Sequence, residues 1–256
     1  EENPYLLAFF KWFHSSLKHN LTELRVTGGE PTRSPSFWKL LDECDNTNFD
    51  FAVNSNLIMD KDRLSKLISS SKKFKNFDLY TSCESVGDHA EFVRAGLDYT
   101  VWHDNLVQFA KEASYKSIHV MLTVSALSIW TITEFMDEIL NLRKQFNKRL
   151  CYMSINILRY PSFQNLNVLP ESLKIEQAEK IKKWLLKAEN LTDFERNQIE
   201  RLETYLRTVE RSYEDRDTLE NKQHDLKVFL EEYSLRNNKN YKNILNNKFV
   251  KWIETI

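Results

Sequence analysis

The chain reads as an α/β protein in which a series of parallel strand–helix units is followed by a helical extension. Three observations lead there. Strand-type alternation and helical spacing take turns over residues 1–170 at the intervals of βαβ units. Glycine is scarce, with only four in 256 residues against an ordinary share of ~7%, yet two stand together at the end of one strand pattern. From about residue 171 the character changes to charged, glycine-free, amphipathic helix. Crossovers between parallel strands are right-handed, so five such units build either a partial barrel or an open sheet. In both, ligands sit at the carboxyl ends of the strands, and motifs placed there matter most.

Residues 5–19 (YLLAFFKWFHSSLKH) carry apolar side chains at helical spacing. LTELRVT (21–27) alternates and stops at Gly28-Gly29, as a strand does. Ser34 and Pro35 suit the N-cap and first position of the next helix. FDFAVN (49–54) is the second strand, and residues 60–73 form a helix that turns Leu64, Leu67 and Ile68 inward. FDLYTS (77–82), a helix over 100–113 and SIHVMLTV (117–124) follow. Thr131 and Glu134 have capping-box spacing ahead of a helix to about 146, and CYMSINIL (151–158) is the fifth strand. Pro161 and Pro170 bracket a linker, which divides a domain over 1–170 from an extension over 171–256. The extension holds 34 charged residues, 17 of each sign. Within it, 174–189, 192–212, 215–233 and 240–255 read as helices, the second opening on a Thr192–Glu195 capping box.

Composition narrows the function classes. With 36 basic and 37 acidic residues the net charge is −1, so no global field draws nucleic acid or an anionic membrane. No apolar run approaches the ~20 residues that span a bilayer. Three distant cysteines, Cys44, Cys83 and Cys151, form neither a CxxC pair nor a disulfide framework, and a reducing, cytoplasmic setting is expected. Cys44 and Cys151 read as buried structural thiols, while Cys83 falls beside a strand-end motif. No histidine has ligand spacing and no serine sits in a G-x-S-x-G elbow, which disfavours metal hydrolysis and α/β-hydrolase chemistry.

Gly28-Gly29-Glu30-Pro31 is the strongest motif. Two glycines let backbone pass close to a ligand, Glu30 adds a carboxylate suited to an ammonium group, and Pro31 stiffens the exit. The plainer reading is a tight turn with a solvated glutamate. The second strand ends at Asn54-Ser55-Asn56, where Asn56 suits a left-handed conformation or an Asx turn. The third ends at Ser82-Cys83-Glu84, with Arg94 and Gly96 downstream. An arginine fork suits a carboxylate, or a surface pair with Glu91 or Asp98. Ser125 closes the fourth strand, and Asn156 and Leu158 the fifth; ordinary strand-end packing competes at each.

LRVTGGEPTRSPSFWKLL, with Ser82 and Arg94 at matching separation, resembles the radical S-adenosylmethionine (radical SAM) superfamily, in its twitch or SPASM-like subgroup. The resemblance implies a partial (β/α)6 barrel lacking its first strand and cluster loop. It implies that Gly28, Gly29 and Glu30 hold the cofactor's amino group, with Pro31 and Asn56 beside them. It places Ser82, Glu84 and Arg94 toward ribose and carboxylate, and Ser125 and Asn156 toward adenosine. In the family a reduced [4Fe–4S] cluster, served by a reductant such as flavodoxin or ferredoxin, cleaves the cofactor. The resulting 5′-deoxyadenosyl radical takes hydrogen from the substrate.

The family's Cys-x3-Cys-x2-Cys motif, which holds three of the irons, does not occur here. Glu1 is not an initiator methionine, and a cut edge before it is the expected explanation. The chain as given is then expected to be inactive. The extension resembles the ending of twitch proteins, but no cysteine follows Cys151 to bind an auxiliary cluster there. Its strip from Arg236 to Lys248, with Tyr241, reads as a solvated surface or a partner contact. Two other classes stand beside this reading. One is a non-catalytic α/β module that binds a partner or nucleotide. The other is a phosphate enzyme using the glycine turn as a nest, which Glu30 disfavours by repulsion. The substrate is not legible from the residues.

Overall fold

The structure, a computed structural model, describes residues 3–45, 47–146, 151–208 and 216–256. It is an α/β fold with a five-stranded parallel sheet and C-terminal helices. The strands are β1 (Glu23–Val26), β2 (Thr47–Asn54), β3 (Phe74–Ser82), β4 (Ser117–Val124) and β5 (Cys151–Ile157). They lie side by side in chain order, with no reversal point. Register pairs Arg25 with Ala52 and Ala52 with Asp78 across the first three.

Two compact units divide the residues. The first is Glu1–Ser82, Thr100–Val120 and Leu142–Tyr152; the second is Cys83–Tyr99, Met121–Asn141 and Met153–Ile256. The change in composition near 171 falls inside the second.

In the first unit, α1 (Pro4–Trp12) starts on Asn3, whose side chain accepts from the Tyr5 amide. It runs on through a π-helical turn, Phe13–Leu17, to α2 (Lys18–Asn20), so residues 5–19 are helical as expected. Pro35 takes the first position of α3 (Pro35–Glu43), but Ser34 makes no side-chain cap. Asp60 caps α4 (Lys61–Ser71) at the Arg63 amide. Alternation along the strands separates two faces. Phe51, Val53, Phe77, Leu79, Ile118 and Val120 are buried on one, where Phe77 meets Phe109 of α6 (Tyr99–Glu112) at 5.9 Å between ring centroids. Burying each of these rings contributes roughly 1.5–3 kcal/mol. The opposite face is polar and incompletely covered, with Arg25, Asp50, Asn76, Asp78, Tyr80, His119 and Tyr152. Parallel sheets are ordinarily apolar on both faces, so this asymmetry is a feature to be explained. Sequentially ordered right-handed crossovers supply a reason, since they bring every crossover helix to the same side.

The second unit contains α5 (Gly87–Val93), which the sequence patterns did not reveal, and the part of α7 (Ile132–Gln145) up to Asn141. The expected Thr131–Glu134 capping box is absent. Thr131 closes a 3-10 turn (Ile129–Thr131), while the Glu134 carboxylate takes Lys180 Nζ at 2.8 and 3.0 Å and the Thr133 hydroxyl at 2.9 Å. A lysine 46 residues away thus outcompetes the local cap. The extension forms α8 (Glu171–Leu185), α9 (Asp193–Arg207), α10 (Arg216–Asn237), α11 (Tyr241–Ile244) and α12 (Asn247–Ile253). The single helix expected over 240–255 is broken because Asn246 caps α12 at the Lys248 amide. The ends expected at 212 and 215 lie outside the described residues. The Thr192–Glu195 box is present, and Glu195, buried, also accepts the Met153 amide at 2.8 Å. One helical turn on, Gln198 accepts the Ile155 amide at 2.6 Å, and Arg201 donates to the Ile155 carbonyl at 3.1 Å. Side chains of α9 therefore do for β5 what a sixth strand would do, and seal the sheet edge. No described helix is long and apolar enough to cross a membrane.

Candidate functional site

At the end of β1, Gly28 and Gly29 have φ of 90° and 55°, a region where a Cβ is strained. Both are exposed, and a Cβ built on either would meet no protein atom within 4 Å. Conformation, not crowding, requires glycine here, and the space over the turn stays open to a ligand approaching the backbone.

Glu30 is not a solvated carboxylate. Its Oε1 accepts the Thr32 amide at 3.2 Å, the Thr32 hydroxyl at 2.7 Å and the Ser55 hydroxyl at 2.8 Å. Its Oε2 accepts the Asn56 amide at 2.6 Å. The carboxylate joins the ends of β1 and β2, with Oε2 keeping lone pairs beyond that single bond. Pro31 is buried and opens a short 3-10 turn, Pro31–Arg33.

Asn56 makes the anticipated Asx turn, its Oδ1 accepting the Ile58 amide at 2.9 Å. The left-handed residue is the next one, Leu57, at φ 55° and fully buried. Its amide donates to the Ser55 hydroxyl at 3.1 Å and its carbonyl accepts Asn105 Nδ2 at 2.9 Å. A branched residue in this region is uncommon and persists where its surroundings hold it. Nothing in the sequence pattern marks Leu57. Ser82 closes β3 and is half-buried.

In the second unit Glu84 and Arg94 find each other. Arg94 Nε donates to both carboxylate oxygens, at 3.0 and 3.1 Å, and neither Glu91 nor Asp98 takes that place. Burial pushes the Glu84 carboxyl above its ordinary range, and the guanidinium opposes that shift. Arg94 is 30% exposed and spends only Nε on the pair, and among the described residues no hydrogen bond engages its Nη groups. Ser125 is buried: its hydroxyl accepts the Leu127 and Ser128 amides at 3.2 Å each, and its amide donates to Ser128 Oγ at 2.9 Å. It shapes the turn that follows β4. Asn156 is exposed near the end of β5, and Leu158 bonds back to the Val124 carbonyl at 2.8 Å.

Structure therefore gathers Gly28, Gly29, Glu30, Pro31 and Asn56 at the neighbouring ends of β1 and β2, and pairs Glu84 with Arg94. It gives Ser125 a turn-shaping role. The three cysteines are buried. Burial pushes the Cys44 thiol up to about 11 and the Cys83 thiol up to about 12, so neither is a ready thiolate. Among the described residues, no three His, Cys, Asp or Glu side chains are grouped as a metal ion would require. These residues do not fit a [4Fe–4S] cluster. The open glycine turn and the Arg94 guanidinium do suit an amino group and a carboxylate, respectively.

A further group went unnoticed in the sequence. On the polar face of the first unit, Arg25 lies 4.6 Å from the Tyr80 ring centroid, Tyr80 stacks on His119 at 4.4 Å, and His119 on Tyr152 at 5.2 Å. Ser117 Oγ donates to Asp78 at 2.5 Å and sits 2.7 Å from His119 Nε2. Burial lowers the His119 pKa, with Asp78 opposing and Arg25 reinforcing the shift. Period-two alternation would have placed these residues on one face, but not in contact. Comparison with family models, curated proteins and solved structures returns no match for the chain.

Proposed function

We propose that this chain is the cofactor-orienting part of a radical SAM protein, a partial (β/α)6 barrel with a helical extension. The observation that carries the reading is the glycine turn at the end of β1. Both glycines hold positive φ under open space, and Glu30 ties the turn to β2 in a sequentially ordered parallel sheet. The polar sheet face fits a barrel lumen better than a covered layer. In this reading the turn's carbonyls and Glu30 Oε2 receive the ammonium group. The Nη groups of Arg94 receive a carboxylate or a ribose hydroxyl, with Glu84 fixing the guanidinium. When bound with its cluster, S-adenosylmethionine supplies an adenosyl radical for hydrogen abstraction. Cluster ligands would come from outside these residues, and the reductant and substrate are unassigned.

The test is anaerobic expression of the full gene, followed by iron and sulfide analysis and an assay for 5′-deoxyadenosine. Iron, sulfide and 5′-deoxyadenosine are expected together. Glu30→Gln and Arg94→Ala should each weaken cofactor binding by about tenfold, the effect of one charge-assisted hydrogen bond. Wild-type affinity in both variants would remove the site assignment. A full-length protein that neither takes up iron nor binds the cofactor would favour the non-catalytic α/β module.

A further inference from the structure

His119 stands on the polar face of the sheet in the first unit, and the strand-end motifs leave its chemistry unused. Ser117, two residues earlier on β4, has a single hydroxyl proton. A carboxylate only accepts, so that proton goes to Asp78 at 2.5 Å. The Ser117 oxygen, 2.7 Å from His119 Nε2, then has only lone pairs to offer the ring. Nε2 must therefore carry the hydrogen of the neutral imidazole, and Nδ1 is the bare nitrogen. Asp78 and Ser117 together fix the tautomer.

Nδ1 lies on the far side of the ring from Ser117, toward the carboxyl end of β4, the end at which ligands sit in open α/β sheets. Among the described residues no hydrogen bond engages it. The ring is held in place by Tyr80, at 4.4 Å with 6° between the planes, and by Tyr152 at 5.2 Å. Among the described residues, the titratable and charged groups that face it are Asp78 and Tyr80 from β3, Arg25 from β1 and Tyr152 from β5. Arg25 is committed elsewhere, since its Nη2 donates to the Tyr80 hydroxyl and to Glu23 at 3.2 Å each. The ring is half-buried, and burial lowers its pKa, so it is a neutral base at physiological pH. The two tyrosine faces favour the imidazolium that proton uptake would form, and Arg25 opposes it, so a proton taken up is readily returned.

We propose that His119 Nδ1 is the proton-accepting group of a binding site on the polar sheet face, and that this site takes a molecule whose hydroxyl or ammonium group donates to it. On transfer the ligand's O–H or N–H bond breaks, its electron pair stays on the ligand, and the proton forms Nδ1–H. Ser117 and Asp78 are positioning residues, which act through the tautomer. The inference rests on this cluster alone and does not depend on the cofactor reading.

Nitrogen NMR of this chain labelled with ring-15N histidine reads both nitrogens, with the His119 signals assigned by their loss in His119→Gln. A protonated Nε2 and a bare Nδ1 are expected at pH 8. Ser117→Ala should speed exchange of the Nε2 proton about tenfold, the loss of one hydrogen bond, and Ser117→Thr, which keeps the hydroxyl, should restore it. Ethylene glycol and ethylammonium chloride are the probes, with sodium acetate as the contrast that has no donor. A saturable shift of the Nδ1 resonance with at least one probe, and none with acetate, is expected. A shift with ethylene glycol alone assigns a hydroxyl ligand, one with ethylammonium alone an amine, and one with both a site that reads the donor only. The tautomer and the probe shifts are wild-type measurements and stand even where Ser117→Ala misfolds. Hydrogen on Nδ1 in the wild type, Nε2 exchange indifferent to Ser117→Ala in a folded variant, or an Nδ1 resonance moved by neither probe or equally by acetate each overturns the proposal.

Discussion

Arg94 and Glu84 show how a side chain found by its chemistry acquires a different partner in the fold. Glu84 is 5% exposed and Arg94 holds it through Nε. Arg94→Met therefore leaves a buried carboxyl without its cation. In the native protein burial already sets the Glu84 pKa above its unfolded value, so its contribution to stability declines as pH rises through that range. Removing the guanidinium lifts the folded pKa further and extends the decline upward. The variant's deficit should thus be smaller at pH 5 than at pH 8, measured by urea denaturation at both. A deficit independent of pH would show that Glu84 does not carry it. Glu30 teaches a related lesson: its residue type and position were legible, whereas its four donors, two of them from residues 25 or 26 positions away, were not.

Elements whose signals are local came through. The five strands stand where alternation places them, and Thr192–Glu195 caps α9 because both partners lie within one turn. Signals with a distant competitor failed, as at Thr131–Glu134, where Lys180 takes the carboxylate. Asn246 and the α5 helix were missed because each interrupts or hides within a longer pattern. The sealing of β5 by α9 gives a prediction. Glu195→Ala orphans the Met153 amide and the Thr192 amide together, and should cost about 3 kcal/mol or more by chemical denaturation. Thr192→Ala, which removes the cap alone, should cost ~1 kcal/mol. Equal losses would mean that the β5 edge gains nothing from Glu195.

Across the chain, a buried histidine, His89, and a half-buried one, His119, link stability to pH. Burial lowers the pKa of His89, with the Leu127 carbonyl 2.7 Å from its Nε2, and of His119 in its aromatic stack. An unfolded histidine titrates near pH ~6.5. Between that value and the lower folded pKa, the unfolded chain binds more protons, so stability is present above ~6.5 and lost as pH falls through the interval. The Tm should drop from pH 7 to pH 5, and a His89→Gln/His119→Gln variant should lose less over the same range. An undiminished drop in that variant would place the linkage on other groups.

Residue order alone settled the α/β class, the strand positions, the helical extension and the chemical types at the strand ends, because periodicity, caps and glycine freedom are properties of neighbours in the chain. Folding was needed to tie Glu30 to Ser55 and Asn56, to hold Leu57 in a left-handed conformation and to stack His119 between tyrosines. Those contacts join residues remote in sequence, and their energies depend on burial and distance, which no local pattern encodes.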